Sequence, residues 1–210
     1  MGRAAPRVPP NLLTATAPRA QYETWRQGMR AAVKTQNPPR FTPMYAGSDY
    51  CGALVGPMVV LIGRDRPGPL LPEHGRHWSK QVHADYPEGS GFMIVLRSSA
   101  PPPNDDTRGR VSQFLEECSR TAVAGAIVIE GEGFVAASLR AFFGAFSLIN
   151  YRFRLKVYAS VREAAPPTMK RLGRLDPDEA SELALGVEEL KAAYAAGTLV
   201  VPPSQPPRSS

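Results

Sequence analysis

The sequence is poor in cysteine and in long hydrophobic runs, and both absences exclude classes of protein. Only Cys51 and Cys118 occur among the 210 residues. Two cysteines so far apart do not indicate a disulfide framework or a thiolate metal site, so we expect a reduced setting. No stretch approaches the ~20 apolar residues that span a bilayer, and no basic start leads into a secretory apolar segment. We therefore expect a soluble, cytoplasmic protein.

Catalytic groupings are equally scarce. No serine stands in a G-x-S-x-G context, and neither cysteine has a histidine or acid at a recognised spacing. Cys118 falls on the apolar side of a predicted helix, where a thiol is expected to be inert. The histidines at positions 74, 77 and 83 share one predicted helix without further ligands at convergent spacing, so we expect solvated or capping side chains. We expect no enzyme activity, no cofactor and no metal.

Proline and positive charge, by contrast, are concentrated at the amino terminus. The chain has 22 prolines and a net charge of +6, and residues 1–40 carry seven Lys or Arg against one Glu. We interpret residues 1–45 as a basic, proline-rich arm. Within it, residues 21–36 predict an amphipathic helix with Tyr22 and Trp25 on the apolar side. This helix either packs on its own domain or docks on a partner groove, a membrane surface or a nucleic acid.

Strands and helices alternate through residues 46–173, which we interpret as one α/β domain. Short apolar runs bounded by Gly and Pro predict strands, and apolar residues at helical spacing predict helices. An alternating order favours a mainly parallel sheet, here of four to five strands. The predicted strands are 50–55, 58–63, 91–98, 123–129 and 155–159. The predicted helices are 72–86, 134–150 and 161–171. A further helix, between the third and fourth strands, is predicted to be capped by Asp105, Asp106 or Thr107.

Residues 174–210 predict one more helix and a proline-rich tail without regular structure. Asp176 is placed to cap a helix over 177–196, and Gly197 to end it. The apolar stripe on this helix is narrow and consists of Leu183, Val187, Leu190 and Tyr194. Such a stripe meets a partner helix or lies along its own domain.

Gly131, Gly133 and Ala136 match the G-x-G-x-x-A form of a dinucleotide-binding turn, between a predicted strand and a predicted helix. Glu130 and Glu132 place two carboxylates beside the position of a phosphate. The acidic residue that holds a ribose ~20 residues later is also missing, since the next acid, Glu163, falls inside a helix. We therefore favour a tight strand-to-helix turn over a nucleotide site.

The helix after this turn is apolar on nearly every side, which is typical of burial on two sides. Part of that surface is explained by core packing, and the remainder predicts a protein interface or a homodimer. The candidate interaction residues in this helix are Phe134, Leu139, Phe142, Phe143 and Phe146.

The segment from Phe92 to Ala165 has a recognisable order of predicted strands and helices. Its matching runs are GFMIVLRS, RVSQFLEECSR, AGAIVIEGEGF, VAASLRAFFGAF and KVYASVREA. It resembles the bacterial STAS domains, the fold of anti-sigma factor antagonists. With the two strands before it, the resemblance covers about 120 residues. The chain is also similar to uncharacterised STAS-like proteins of high-GC bacteria that carry a Val-x-Glu-Gly-x-Gly-Phe turn.

The resemblance implies a regulatory or scaffolding domain that binds proteins. Phosphorylated antagonists present an Asp-Ser-x-Gly turn before the helix that follows the buried strand, and this chain lacks it. Ser98, Ser99 and Thr107 are the nearest candidate phosphate acceptors. The alternative hypothesis is a nucleotide- or lipid-binding sensor, or a small-molecule enzyme, that uses the turn at 130–135.

Overall fold

A computed structural model describes residues 39–97, 104–149 and 155–201, with the backbone alone for 145–149. Chain contacts separate two units, Met1–Pro38 and Pro39–Ser210, and the description concerns the second. The predicted helix over 21–36, with Tyr22 and Trp25, lies outside the described residues, as do Ser98 and Ser99. The strands are β1 Thr42–Ala46, β2 Tyr50–Val55, β3 Met58–Gly63, β4 Gly91–Arg97, β5 Ala124–Glu130 and β6 Leu155–Tyr158. The helices are α1 Leu71–Asp85, α2 Asp105–Ser119, α3 Phe134–Ile149, α4 Val161–Arg171 and α5 Pro177–Ala196.

The six strands form one mixed sheet in the order β1-β2-β3-β4-β5-β6. The pairs β1–β2 and β2–β3 are antiparallel, and the three pairs from β3 to β6 are parallel. The α/β class is confirmed, whereas the predicted count of four to five strands is too low because β1 was missed. Proline disfavours a strand, but Pro43 is tolerated in β1 because this strand lies at the edge of the sheet.

Helices cover both faces of the sheet. Since β3 to β6 follow one another in space and parallel crossovers are right-handed, α1, α2 and α3 lie on the same face. Their core includes Trp78, Phe114 and Phe143. The opposite face packs against α4 and α5. Burial on both faces explains why β3, β4 and β5 are continuous apolar runs.

Helix α5 packs on its own domain. Its apolar stripe therefore does not meet a partner helix, which was the other alternative. Leu183, Val187, Leu190 and Tyr194 are all buried in the core beside β2 and α4. Gly186 allows this close approach, because a Cβ there would lie 2.7 Å from Cγ1 of Val55. The predicted ends are confirmed: Asp176 accepts a hydrogen bond from the backbone N–H of Asp178, and Gly197 is left-handed with φ of 68°.

One predicted helix start is wrong by a residue. The cap of α2 is Asn104, whose side-chain oxygen accepts a 2.9 Å hydrogen bond from the backbone N–H of Thr107. Asp105 and Asp106 occupy the first turn instead. Their negative charges still favour this end of the helix through its dipole.

Candidate functional site at the carboxyl edge of the parallel strands

The turn between β5 and α3 lies at the carboxyl edge of the parallel strands, where open α/β sheets usually bind ligands. Gly131 and Gly133 have φ values of 98° and 89°, a region that glycine adopts without strain. One guanidinium nitrogen of Arg140, in α3, donates hydrogen bonds to the carbonyl oxygens of Ile129 (2.8 Å) and Gly131 (2.6 Å). The helix thus holds the turn that precedes it.

Glu130, the last residue of β5, pairs with helix α5. Its carboxylate lies 2.5 Å from Nζ of Lys191, which also contacts Glu188 at 2.9 Å. Burial opposes the charge on Lys191, but the hydrogen bonds to the two glutamates outweigh it and raise the pKa of this amine. The expectation that Glu130 repels a phosphate is therefore weakened, because Lys191 neutralises it. Glu132, which is exposed, still places a negative charge beside the turn.

Glu163, the next acidic residue after the glycine turn, also has a structural role. Ser160 caps α4 by accepting a 3.2 Å hydrogen bond from the backbone N–H of Glu163, and the Glu163 carboxylate accepts one from the N–H of Ala159 at 3.1 Å. This reciprocal capping occupies the side chain that a ribose would need. The geometry agrees with a strand-to-helix turn.

The candidate interaction residues of α3 separate into two groups. Leu139 and Phe143 are buried in the core against the sheet, so they do not present a surface to a partner. Phe142 is half-buried, with the guanidinium of Arg108 5.2 Å from its ring centre. The side chain of Phe146 lies outside the described residues. Phe134 is 86% exposed at the first position of the helix and remains accessible.

The outer face of α3 carries no charge over its first eleven residues. The exposed positions there are Phe134, Val135, Ala137, Ser138 and Ala141. Arg140 is the only charged residue of the helix, and its guanidinium is turned toward the carbonyls of the preceding turn. An uncharged strip headed by an exposed phenylalanine therefore borders the carboxyl edge of the sheet.

A groove of about 510 Å³ lies at the same edge of the sheet, between the ends of β4 and β5 and helix α5. Small residues form part of its floor, and Arg97 and Glu188 are among its charged residues. Arg97 has no ion-pair partner among the described residues. The carboxyl edge thus combines one unpaired cation, one paired Lys–Glu cluster and the apolar strip.

Neither thiol of the described chain is accessible to a substrate. Cys51 and Cys118 are both buried, and burial raises the pKa of each thiol to about 12. The prediction that Cys118 is inert packing agrees with this environment. Thr107 is only 6% exposed, which disfavours it as a phosphate acceptor in the folded protein.

The histidine prediction is correct for two residues and wrong for the third. His77 and His83 are exposed, but His74 is half-buried among aromatic rings. Its ring stacks 4.7 Å from Trp78, and its Nδ1 lies 2.7 Å from the hydroxyl of Tyr50. Burial, the largest cause, lowers the pKa of His74. Within the described ranges, no group of three or more potential ligands is placed to hold a metal ion.

Sequence reasoning missed the contacts that organise this edge. Lys191 and Glu130 are 61 positions apart, and no local pattern pairs them. Arg140 did leave a signal, as the single cation in an otherwise uncharged helix. Such an isolated charge requires a partner, and the preceding turn supplies one.

No family model, curated protein or solved structure matches the chain. Among the described helices, none is both long enough and apolar enough to cross a membrane.

Proposed function

We propose that the domain is a STAS-like, non-enzymatic module that binds a protein partner in a regulatory or scaffolding role. Its contact surface is the uncharged strip of α3, headed by Phe134 and placed beside the β5–α3 turn. The observation that carries this proposal is the 86% exposure of Phe134. Large aromatic side chains are enriched at the centres of protein interfaces, where they contribute much of the binding energy.

The rigidity of the turn supports this surface. Arg140 holds the carbonyls of Ile129 and Gly131, and Lys191 holds Glu130 from the other side. A fixed turn places Phe134 in one position before binding, so less conformational entropy is lost when a partner covers it. Arg97, which has no ion-pair partner in the part of the chain that the structure describes, is available for polar contacts around the apolar centre.

The described residues give less support to a catalytic function than to a binding function. Both thiols are buried and protonated at neutral pH, and the histidine of lowered pKa is packed among rings. The groove on the opposite edge, of about 380 Å³, is lined by ion-paired side chains. Arg174 pairs there with Glu88 and Glu179, both at 3.0 Å. Paired charges of this kind stabilise the fold.

The test compares two exposed apolar residues in different parts of the domain. Phe134→Asp places a charge on the proposed surface, and Leu175→Asp does so at another exposed position, between α4 and α5 (74% exposed). Partners are captured by crosslinking from the source cells and quantified by mass spectrometry for the wild type and both variants. We expect a specific partner that Phe134→Asp loses and Leu175→Asp keeps.

Two results would count against this function. Equal capture by both variants would remove the strip of α3 from the interface. Recovery of no specific partner, together with turnover of a small molecule by the purified protein, would favour an enzyme. Size-exclusion chromatography with light scattering on the same variants identifies the case in which the partner is a second copy.

A further inference from the structure

The strip of α3 has a large side chain at one end and a small one two turns later. Phe134 begins the strip and is 86% exposed, and Ala141 is exposed seven residues further on. Seven residues make about two helical turns, so these side chains lie on one line of the helix surface about 10 Å apart. Ala137 and Ser138, which are also exposed, lie between them. The outer face therefore has a projecting ring at one end and a low surface over the rest.

The charges that border the two ends of the strip also differ. Glu132, just before the helix, is exposed and has no ion-pair partner in the described part of the chain. At the other end, the guanidinium of Arg108 lies 5.2 Å from the ring centre of Phe142, which is next to Ala141. An unpaired carboxylate thus lies at the end with the large side chain, and a guanidinium lies at the end with the small one.

The acids near Arg108 do not reverse this difference. Asp105 pairs with Arg108 at 3.2 Å, and Asp106 pairs with Arg110 at 2.5 Å. The two acids and two arginines balance, so this part of α2 carries no excess negative charge. The side chains of Arg108 and Asp105 are 52% and 99% exposed, and a pair so exposed holds its members weakly. Arg108 can therefore contact a second carboxylate.

A second copy of the domain matches both features when its α3 runs antiparallel to the first. With a two-fold axis at the centre of the strip, Phe134 of each copy faces Ala141 of the other. Glu132 of each copy then lies at the same end as Arg108 of the other. A parallel arrangement places Phe134 against Phe134 and the unpaired Glu132 against Glu132, which like-charge repulsion disfavours.

We propose that the partner of the strip is a second copy of this chain, in a two-fold symmetric dimer with antiparallel α3 helices. The inference rests on the proposed protein-binding function, because it uses the same surface. Since the strip is uncharged over its first eleven residues, two copies cover each other without burying an unpaired charge. Each contact occurs twice in such an interface, so a single exposed phenylalanine supplies two aromatic anchors.

The first experiment follows sedimentation velocity of the full chain from about 1 to 300 μM, a range that includes weak dimers. We expect a reversible equilibrium between monomer and dimer. Phe134→Ala should weaken the dimer about tenfold or more. Ala141→Phe should weaken it as well, because the ring then meets Phe134 of the other copy. The double variant should recover much of the affinity, since the large and small positions exchange. Leu185→Ala, at an exposed position of α5, is the control and should change nothing.

The second experiment tests the orientation of the helices. Glu132→Arg and Arg108→Glu should each weaken the dimer about threefold or more at low salt, and the double variant should restore it. Ser138→Cys should form a disulfide between copies on mild oxidation, because the two-fold axis brings the two positions together. Leu185→Cys should not form one. The two native thiols are buried and do not compete.

Two outcomes would overturn the dimer. The first is a monomer at every concentration; if Phe134→Asp still loses a captured partner, the protein-binding function stands and the partner is a different protein. The second is a dimer that both single variants, Phe134→Ala and Ala141→Phe, leave unchanged, which places the contact elsewhere. Every substituted side chain is exposed, so loss of folding does not account for either outcome.

Discussion

Gly52 in the second strand lies directly beneath the indole of Trp78, and this contact leaves no room for a side chain. A Cβ at residue 52 would lie 2.2 Å from Cη2 and 2.4 Å from Cζ3 of the indole, where ordinary contact begins at about 3.4 Å. Trp78 is 2% exposed and stacks on His74, whose ring contacts Tyr45 at 4.6 Å. The indole therefore cannot move without displacing its neighbours.

The substitution Gly52→Ala sets two effects against each other. Overpacking a well-packed core costs about 1–3 kcal/mol, and the overlap of more than 1 Å places this case toward the upper end. Replacing glycine by alanine in a strand regains roughly 0.5–1 kcal/mol. We expect a net loss of about 2 kcal/mol, which for a domain of this size lowers Tm by roughly 4–8 °C.

Urea unfolding followed by circular dichroism measures this loss. Gly109→Ala is the matched control, because a Cβ at Gly109 meets no atom within 4 Å and α2 gains about 1 kcal/mol of helix propensity. Trp78→Phe in the Gly52→Ala background should recover part of the lost stability, since the smaller ring leaves space. A Gly52→Ala protein that unfolds at the wild-type urea concentration, with an unchanged m-value, would refute this account of the core.

Three further predictions follow from ionisable groups. Lys191→Met should lower stability by about 1 kcal/mol, and by less in a Glu130→Gln background, as measured by urea unfolding. Burial keeps the pKa of His74 below its unfolded value of ~6.5, so the unfolded state binds the proton more readily and stability should fall as pH drops through that range. His74→Phe should reduce this slope. Both cysteine thiols, with pKa values of about 12, should resist alkylation at pH ~8 until urea unfolds the chain.

Each of these has a contrary outcome. Equal losses from Lys191→Met in the two backgrounds would show that the ammonium does not act through Glu130. A slope that His74→Phe preserves would assign the titration to other groups. Rapid alkylation of the native protein would mean that the thiols are reached through local opening.

Much of the fold could be predicted from the sequence because its signals are local. β3, β4 and β5 are apolar runs between turn residues, and they have this form because helices cover both faces of the sheet. The ends of α5 were predictable from Asp176 and Gly197, since capping is a property of a few neighbouring residues. β1 was missed because Pro43 disfavours a strand, and the edge position that tolerates it is a property of the whole sheet.

The candidate site was less predictable because its contacts join distant parts of the chain. Trp78 lies on Gly52, and Lys191 meets Glu130, through the packing of α1 and α5 on the sheet. The phenylalanines of α3 were also difficult to assign from sequence. A core and an interface select the same apolar residues, so sequence alone could not assign Phe143 to the core and Phe134 to the surface.

The position of the Arg140 guanidinium, the one charge in α3, determines whether the outer face of this helix is charged. Were Arg140 to extend into solvent, the outer face of the helix would carry a cation and be well hydrated. Its hydrogen bonds to Ile129 and Gly131 instead fix the turn and remove the charge from the outer face. The interaction that makes the turn rigid thus also leaves Phe134 at the head of an uncharged strip, which links the structural role of the glycine turn to the proposed interface.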